Sequence, residues 1–283
     1  MRDAEEIILR SGALTLAARA WGEPAAPPVL ALHGWLDNAA TFDRLAPRLG
    51  EWRIFALDFP GHGHSEHRPT GTHYHFVDFV ADTINAADAL GLDRFALVGH
   101  SLGANVASFV AATIPQRISC LGLLEGFGPF SGDPSAAPAQ LLQSIHEMRA
   151  LQDKQLPVYI DLEQAARARQ LGGDFDFDCA MILSRRGTRE CEGGYTWRSD
   201  PALRVKSPQY LSEAQVAAYL RAIAAPTLLV RATRGLPVRR RAIESRYEHV
   251  PQLQIHDVEG GHHVHLENAS PVAEILSDFL AQH

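Results

Sequence analysis

Residues 28–32, Pro28-Val29-Leu30-Ala31-Leu32, form an almost uninterrupted apolar run too short for a helix, and similar runs recur along the chain. A strand without polar alternation is buried on both faces, so its sheet must carry helices above and below. Residues 52–57, 94–98, 119–124 and 227–230 read the same way, and 253–258 is the last strand of the series. Helical patterns lie between them at 41–49, 76–90, 102–114 and 238–247, and 271–281 closes the chain. Residues 6–10 and 14–20 alternate well enough to form a leading antiparallel pair. Strand–helix alternation of this kind predicts an α/β fold with a mostly parallel sheet.

One stretch breaks the rhythm. From 127 to 211 there is no convincing buried strand; Gly128-Pro129, Gly132-Asp133-Pro134 and Pro138 punctuate its start. Helical patterns follow at 139–151, 157–171 and 175–185, and the strand–helix pattern resumes near Ala214. The expected organisation is a core of 1–126 and 212–283 interrupted by a helical insert at 127–211. The 283 residues suffice for such a domain.

Charge and cysteine usage exclude several classes of partner. The net charge is −7, only Lys154 and Lys206 are lysines, and the arginines are scattered. Without a basic face, a nucleic-acid partner is not expected. Cys120, Cys179 and Cys191 are far apart and odd in number, so no disulfide framework or zinc knuckle is readable, which suits a reducing compartment. The charged start, Met1-Arg2-Asp3-Ala4-Glu5-Glu6, does not read as a signal peptide. No apolar stretch approaches the roughly 20 residues of a membrane helix. The expectation is a cytoplasmic protein without a membrane span; its oligomeric state is left open.

Gly99-His100-Ser101-Leu102-Gly103 carries the most chemistry. It sits between a buried strand and a helix, where a G-x-S-x-G turn becomes a strained elbow presenting the serine. A plain helix-capping serine is the alternative. A hydroxyl needs a neighbouring base before it can act as a nucleophile. Gly260-Gly261-His262-His263-Val264-His265 follows the last strand and supplies candidates. His262 is the expected base and His263 the second choice, while His265 is expected to pack on the closing helix. A metal reading of this loop is weak because no partner carboxylate accompanies it. No metal is expected.

The base needs an orienting acid. The loop after the penultimate strand, Arg231-Ala232-Thr233-Arg234-Gly235, contains none. Glu125, at the end of the strand after the serine's helix, is the expected acid, with Asp257 and Glu259 as fallbacks. Developing negative charge would be met by the backbone N–H groups of Trp35, in the turn Leu32-His33-Gly34-Trp35, and Leu102. Asp58-Phe59-Pro60-Gly61-His62-Gly63-His64-Ser65 is read as a structural turn rather than a metal or phosphate site, since no G-K-[ST] follows.

Taken together, His33-Gly34-Trp35, the 58–65 turn, Gly99-His100-Ser101-Leu102-Gly103 and Gly261-His262 resemble the α/β-hydrolase superfamily across almost the whole chain. Tyr195-Thr196-Trp197-Arg198-Ser199-Asp200-Pro201 and the 261–267 ending are similar to its serine hydrolase-like proteins. The resemblance implies an eight-stranded, mostly parallel sheet, a helical cap over the site and cofactor-free hydrolysis. The sequence departs from the family in lacking the acid after the seventh strand. Some relatives carry it after the sixth, where Glu125 stands.

The expected activity is cleavage of a small hydrophobic carboxylic ester through an acyl-enzyme. Ser101 is the nucleophile, His262 the base and Glu125 the acid. Trp35, Phe127 and Trp197 are expected to touch substrate, with Phe130, Met148, Tyr159 and Met181 as further apolar candidates in the insert. A perhydrolase or C–C bond hydrolase would use the same triad. A ligand-binding or scaffold protein with little catalysis is the reading from another class.

Overall fold

The computed structural model describes residues 4–151, 155–235 and 241–283. The leading hairpin is β1 (Glu5–Ser11) and β2 (Leu14–Trp21), followed by β3 (Pro28–Leu32) and β4 (Arg53–Leu57). Helix α1 (Phe76–Ala89) leads to β5 (Phe95–His100), α2 (Leu102–Thr113) and β6 (Ile118–Leu124). After a long segment come α6 (Glu213–Arg221), β9 (Thr227–Ala232), β10 (Leu253–Val258), the short α7 (Val264–Glu267) and α8 (Ala269–Ala281). These eight strands form one sheet in the order β1-β2-β4-β3-β5-β6-β9-β10. The strand β2 runs antiparallel to both its neighbours, and every other pairing is parallel.

The two-residue period of a strand divides the core into two layers. Leu30 and Leu32 of β3 face the side covered by Phe79 of α1, Phe109 of α2 and Leu220 of α6. Val29 and Ala31 face the opposite side, against Phe42, Leu45 and, from α8, Val272 and Leu276. Both faces are therefore buried, which is why the central strands read as continuous apolar runs.

The segment between β6 and α6 contains α3 (Ala137–Ala150), α4 (Leu162–Leu171), α5 (Phe177–Gly187) and a hairpin of β7 (Thr188–Cys191) with β8 (Gly194–Trp197). The hairpin was not expected from the sequence; its strands are short and stand apart from the main sheet. Ser131 and Leu211 pair where the chain leaves the core and returns, with the Gly132 N–H donating to the Leu211 carbonyl at 2.9 Å.

Three expected helices differ. Residues 41–49 form two 3-10 turns, Ala39–Phe42 and Ala46–Arg48, the second with a proline in its first positions. The helix expected from 157 starts at Leu162, because Asp161 caps the Gln164 N–H and Tyr159 pairs instead with Tyr195. Of the helix expected at 238–247, residues 238–240 lie outside the described residues; the rest belongs to a 3-10 helix, Arg241–His249.

Candidate active site

The tight connection between β5 and α2 puts Ser101 at φ 53° and ψ −111°, a left-handed conformation that costs energy for a residue with a side chain. Two contacts hold it there. The Ser101 N–H donates to the Leu124 carbonyl of β6 at 2.9 Å. Gly103 lets α2 press onto β3, since a Cβ at that position would stand 2.1 Å from the Leu32 carbonyl oxygen. The elbow thus aims the hydroxyl out over the C-terminal ends of the parallel strands.

His262 reaches that hydroxyl from the loop after β10. Its Nε2 lies 2.8 Å from Ser101 Oγ, and its Nδ1 lies 3.1 Å from Glu125 Oε2. A carboxylate only accepts, so Nδ1 carries the proton and Nε2 accepts from the serine. The Glu125 side chain is fully buried, whereas the His262 side chain keeps 19% of its exposure. The Glu125 carboxylate is thereby shielded from solvent, while the His262 ring stays partly exposed.

Glu125 directly follows β6 with φ 58°, its N–H donating to the Val230 carbonyl and its Oε1 accepting from the Ala232 N–H of β9. The loop after β9 supplies no carboxylate and instead contacts both the histidine loop and Glu125. The Arg234 N–H donates to the Gly260 carbonyl at 3.1 Å, bracing the histidine loop. Gly235 lies against the Glu125 carboxylate. Neither contact was readable in the sequence.

The His33-Gly34-Trp35 turn is braced by two buried histidines. His33 donates from Nδ1 to the Gly34 carbonyl at 2.7 Å and accepts at Nε2 from the Phe59 N–H at 3.0 Å. His62 donates from Nδ1 to the Pro60 carbonyl and accepts from the Leu36 N–H at 3.2 Å. Burial pushes both rings below their ordinary pKa, His62 down to about 3, so both are neutral in these roles. Asp58, fully buried, accepts from the Ala39 and His64 N–H groups and pairs with Arg186 at 2.8 Å. The 58–65 turn is therefore scaffolding for the turn beside Ser101. The Leu102 N–H opens α2 and has no acceptor within the helix. The Trp35 N–H makes no backbone–backbone hydrogen bond among the described residues.

A second cluster lies behind His262. Asp37 accepts from Arg169 at 2.5 Å through Oδ1 and from His263 Nε2 at 3.0 Å through Oδ2. His100 donates from Nε2 to the His262 carbonyl at 2.9 Å. Burial, reinforced by the neighbouring rings of His265, His262 and His263, holds His100 well below its ordinary pKa. Burial alone would raise Asp37, but His263, Arg169 and His100 keep it well below the usual carboxylate range. Sequence reasoning missed Asp37, His100 and Arg169, which meet only through the fold.

The remaining expectations divide. The indole N–H of Trp35 donates to the Leu203 carbonyl at 3.0 Å while the side chain stays half exposed. Trp197 donates to the Tyr159 hydroxyl at 3.1 Å and borders a small cleft with Leu36 and Asp37. Phe127, expected to touch substrate, is fully buried and packs edge-on against Tyr247 in the main core, leaving no free surface for a ligand. His265, expected on the closing helix, has its Nε2 2.8 Å from the Thr41 hydroxyl and its ring packed on Phe42. Asp257 is engaged by Arg231 at 2.7 Å.

Residues 27–169 match the family model described as the alpha/beta hydrolase fold. A serine hydrolase-like protein from Danio rerio is 32% identical over 276 residues, covering 94% of this chain and 85% of that protein. Among solved structures, a hypothetical protein from Pseudomonas aeruginosa PAO1 is 40% identical, with a TM-score of 0.94 over 98% of this chain and 99% of that one. A thioesterase domain from the curacin biosynthetic pathway is 28% identical, with a TM-score of 0.87 over 97% of this chain and 99% of that one.

Proposed function

The chain belongs to the alpha/beta hydrolase family, and we propose that it is a serine hydrolase cleaving a small hydrophobic carboxylic ester through an acyl-enzyme. The observation that carries this reading is the continuous chain Ser101–His262–Glu125, linked at 2.8 and 3.1 Å.

In this reading Ser101 Oγ attacks the ester carbonyl while His262 Nε2 takes the hydroxyl proton. Glu125 holds the imidazole in the tautomer that makes this transfer feasible and stabilises the imidazolium. The Trp35 and Leu102 N–H groups receive the charge that develops on the carbonyl oxygen. His262 returns the proton to the leaving alkoxide, giving alcohol and acyl-Ser101. Water, activated by the same histidine, then releases the acid and restores the hydroxyl. The steps require neither metal nor cofactor.

The 127–211 segment serves as the cap in this proposal. Its support is the neck at Ser131 and Leu211 and the apolar side chains it leaves exposed, including Phe130 and Leu142. Trp35 and Trp197 are the proposed substrate contacts.

A thioester substrate is the second reading, favoured by the likeness to the thioesterase domain over nearly both full lengths. The same acyl-enzyme forms, with a thiolate leaving in place of the alkoxide. Stopped-flow hydrolysis of p-nitrophenyl acetate tests the common step. An initial burst in the wild type, absent in Ser101→Ala, is expected. Equal slow rates for both proteins would overturn the reading and favour a binding role. A panel of matched esters and thioesters then ranks the two leaving groups.

A further inference from the structure

We propose that Asp37, His100 and His263 form a binding site for a borderline transition-metal ion of the Zn2+ type, next to the triad but built from other residues. Their ligand atoms lie within 4.8 Å of one another, and all three residues are buried. Two imidazoles and one carboxylate with a position left open form a donor set suited to zinc. The carboxylate that the histidine loop lacks in its own sequence is brought by Asp37 from the turn after β3.

The state of His100 points to a ligand. Its Nε2–H is spent on the His262 carbonyl, leaving a lone pair on Nδ1. That atom is buried without a hydrogen-bond partner among the described residues, and it faces Asp37 Oδ2 at 3.7 Å. A lone pair aimed at a carboxylate is unfavourable until a cation stands between them. An imidazole whose second nitrogen is anchored to a carbonyl is also how metal-bound histidines are usually oriented.

The surroundings suit an ion. Asp37 Oδ2 lies 3.0 Å from His263 Nε2 and 3.7 Å from His100 Nδ1. These separations bracket the roughly 3.4 Å expected between tetrahedral ligands at bonds of about 2.1 Å. Arg169 holds the other Asp37 oxygen and so turns Oδ2 toward the cluster. Gly34 keeps the space clear, because a Cβ there would stand 2.9 Å from both Asp37 Oδ2 and His100 Nδ1. A cleft bordered by Leu36, Asn38, Arg169, Leu183 and Trp197 leads to Asp37. To bind, His263 moves its proton from Nε2 to Nδ1, an atom that has no hydrogen-bond partner among the described residues.

Occupancy ties His100 and His263 together and so pulls on His262, which lies between them through its carbonyl and its peptide bond. The ion therefore inhibits. This consequence rests on the triad reading; the binding does not.

The test is titration of tag-free protein with Co2+, read by equilibrium dialysis and visible absorption, for the wild type and His263→Gln. The glutamine amide can still donate to Asp37. A single bound equivalent with a four-coordinate spectrum is expected, weakened more than about tenfold in the variant. Fluorophosphonate labelling should slow in parallel and recover with EDTA. No binding, or binding unchanged by His263→Gln, overturns the site and assigns any uptake to surface groups such as the stacked His73 and His75. If the variant does not fold, X-ray absorption of Zn2+-loaded wild type decides, since fewer than two imidazoles around the ion overturns the proposal. Absence of labelling before any metal is added would count against the triad reading, with the dialysis result standing separately.

Discussion

Gly235 lies directly against the carboxylate of Glu125: a Cβ on Gly235 would stand 1.9 Å from Oε2. The loop after β9 thus yields its space to an acid arriving from the neighbouring strand β6. Gly235→Ala should push the carboxylate away from His262 Nδ1. Displacement of a reacting group by about 1 Å can cost around a hundredfold in rate, so kcat should fall by that order while the folded state persists. A variant with normal kcat would show that the Glu125 position is not critical.

Glu125→Gln separates charge and tautomer from packing. The amide oxygen can still accept from the Ala232 N–H, but the amide nitrogen would face His262 Nδ1 and favour the wrong tautomer. Turnover of p-nitrophenyl acetate should drop by roughly 10³–10⁴, with thermal unfolding little changed. Near-normal turnover would remove Glu125 from the mechanism.

Asp58 holds the turns beside the site together, and Arg186 is nearly buried against it. Asp58→Ala leaves that guanidinium short of its partner and frees the Ala39 and His64 N–H groups. Loss of one member of a buried pair costs about 3–5 kcal/mol. Glu6, which also binds Arg186 at 2.6 Å, moderates this toward the lower end. Chemical denaturation measures it, and a loss under about 1 kcal/mol would contradict the scaffolding role.

His62 gives a pH signature. Burial pushes its folded-state pKa from 6.5 down to about 3. Between those values the unfolded chain binds a proton that the folded protein does not. The contribution is complete above pH 6.5 and is lost as pH falls, by about 1.4 kcal/mol per pH unit. Comparison with His62→Asn cancels all other titrations. The variant should be less stable at pH 7, for want of the brace on the Leu36 N–H, and the gap should close as pH drops to 5. A gap independent of pH would contradict a buried neutral His62.

Much of this architecture is legible in the sequence because it is local. A strand buried on both faces announces itself at β3 and β5, and the elbow follows from glycines spaced around Ser101. That Glu125 stands beside His262 is legible from its place at a strand end on the serine's edge of the sheet. What is hidden depends on meetings between distant segments. Arg169 and Asp37 lie in different halves of the fold's connectivity, and nothing near either residue names the other. Phe127 reads as a pocket wall because it begins the insert, yet it is fully buried in the main core against Tyr247. Local capping also overrides periodicity, as Asp161 does in delaying α4.

The most direct test of the account is fluorophosphonate labelling, followed by peptide mass analysis, of the wild type, Ser101→Ala and His262→Ala. A single adduct on Ser101 is expected in the wild type, none in Ser101→Ala, and labelling slowed by orders of magnitude in His262→Ala. Labelling of His262→Ala at the wild-type rate, or an adduct on another residue, would contradict a serine activated by His262.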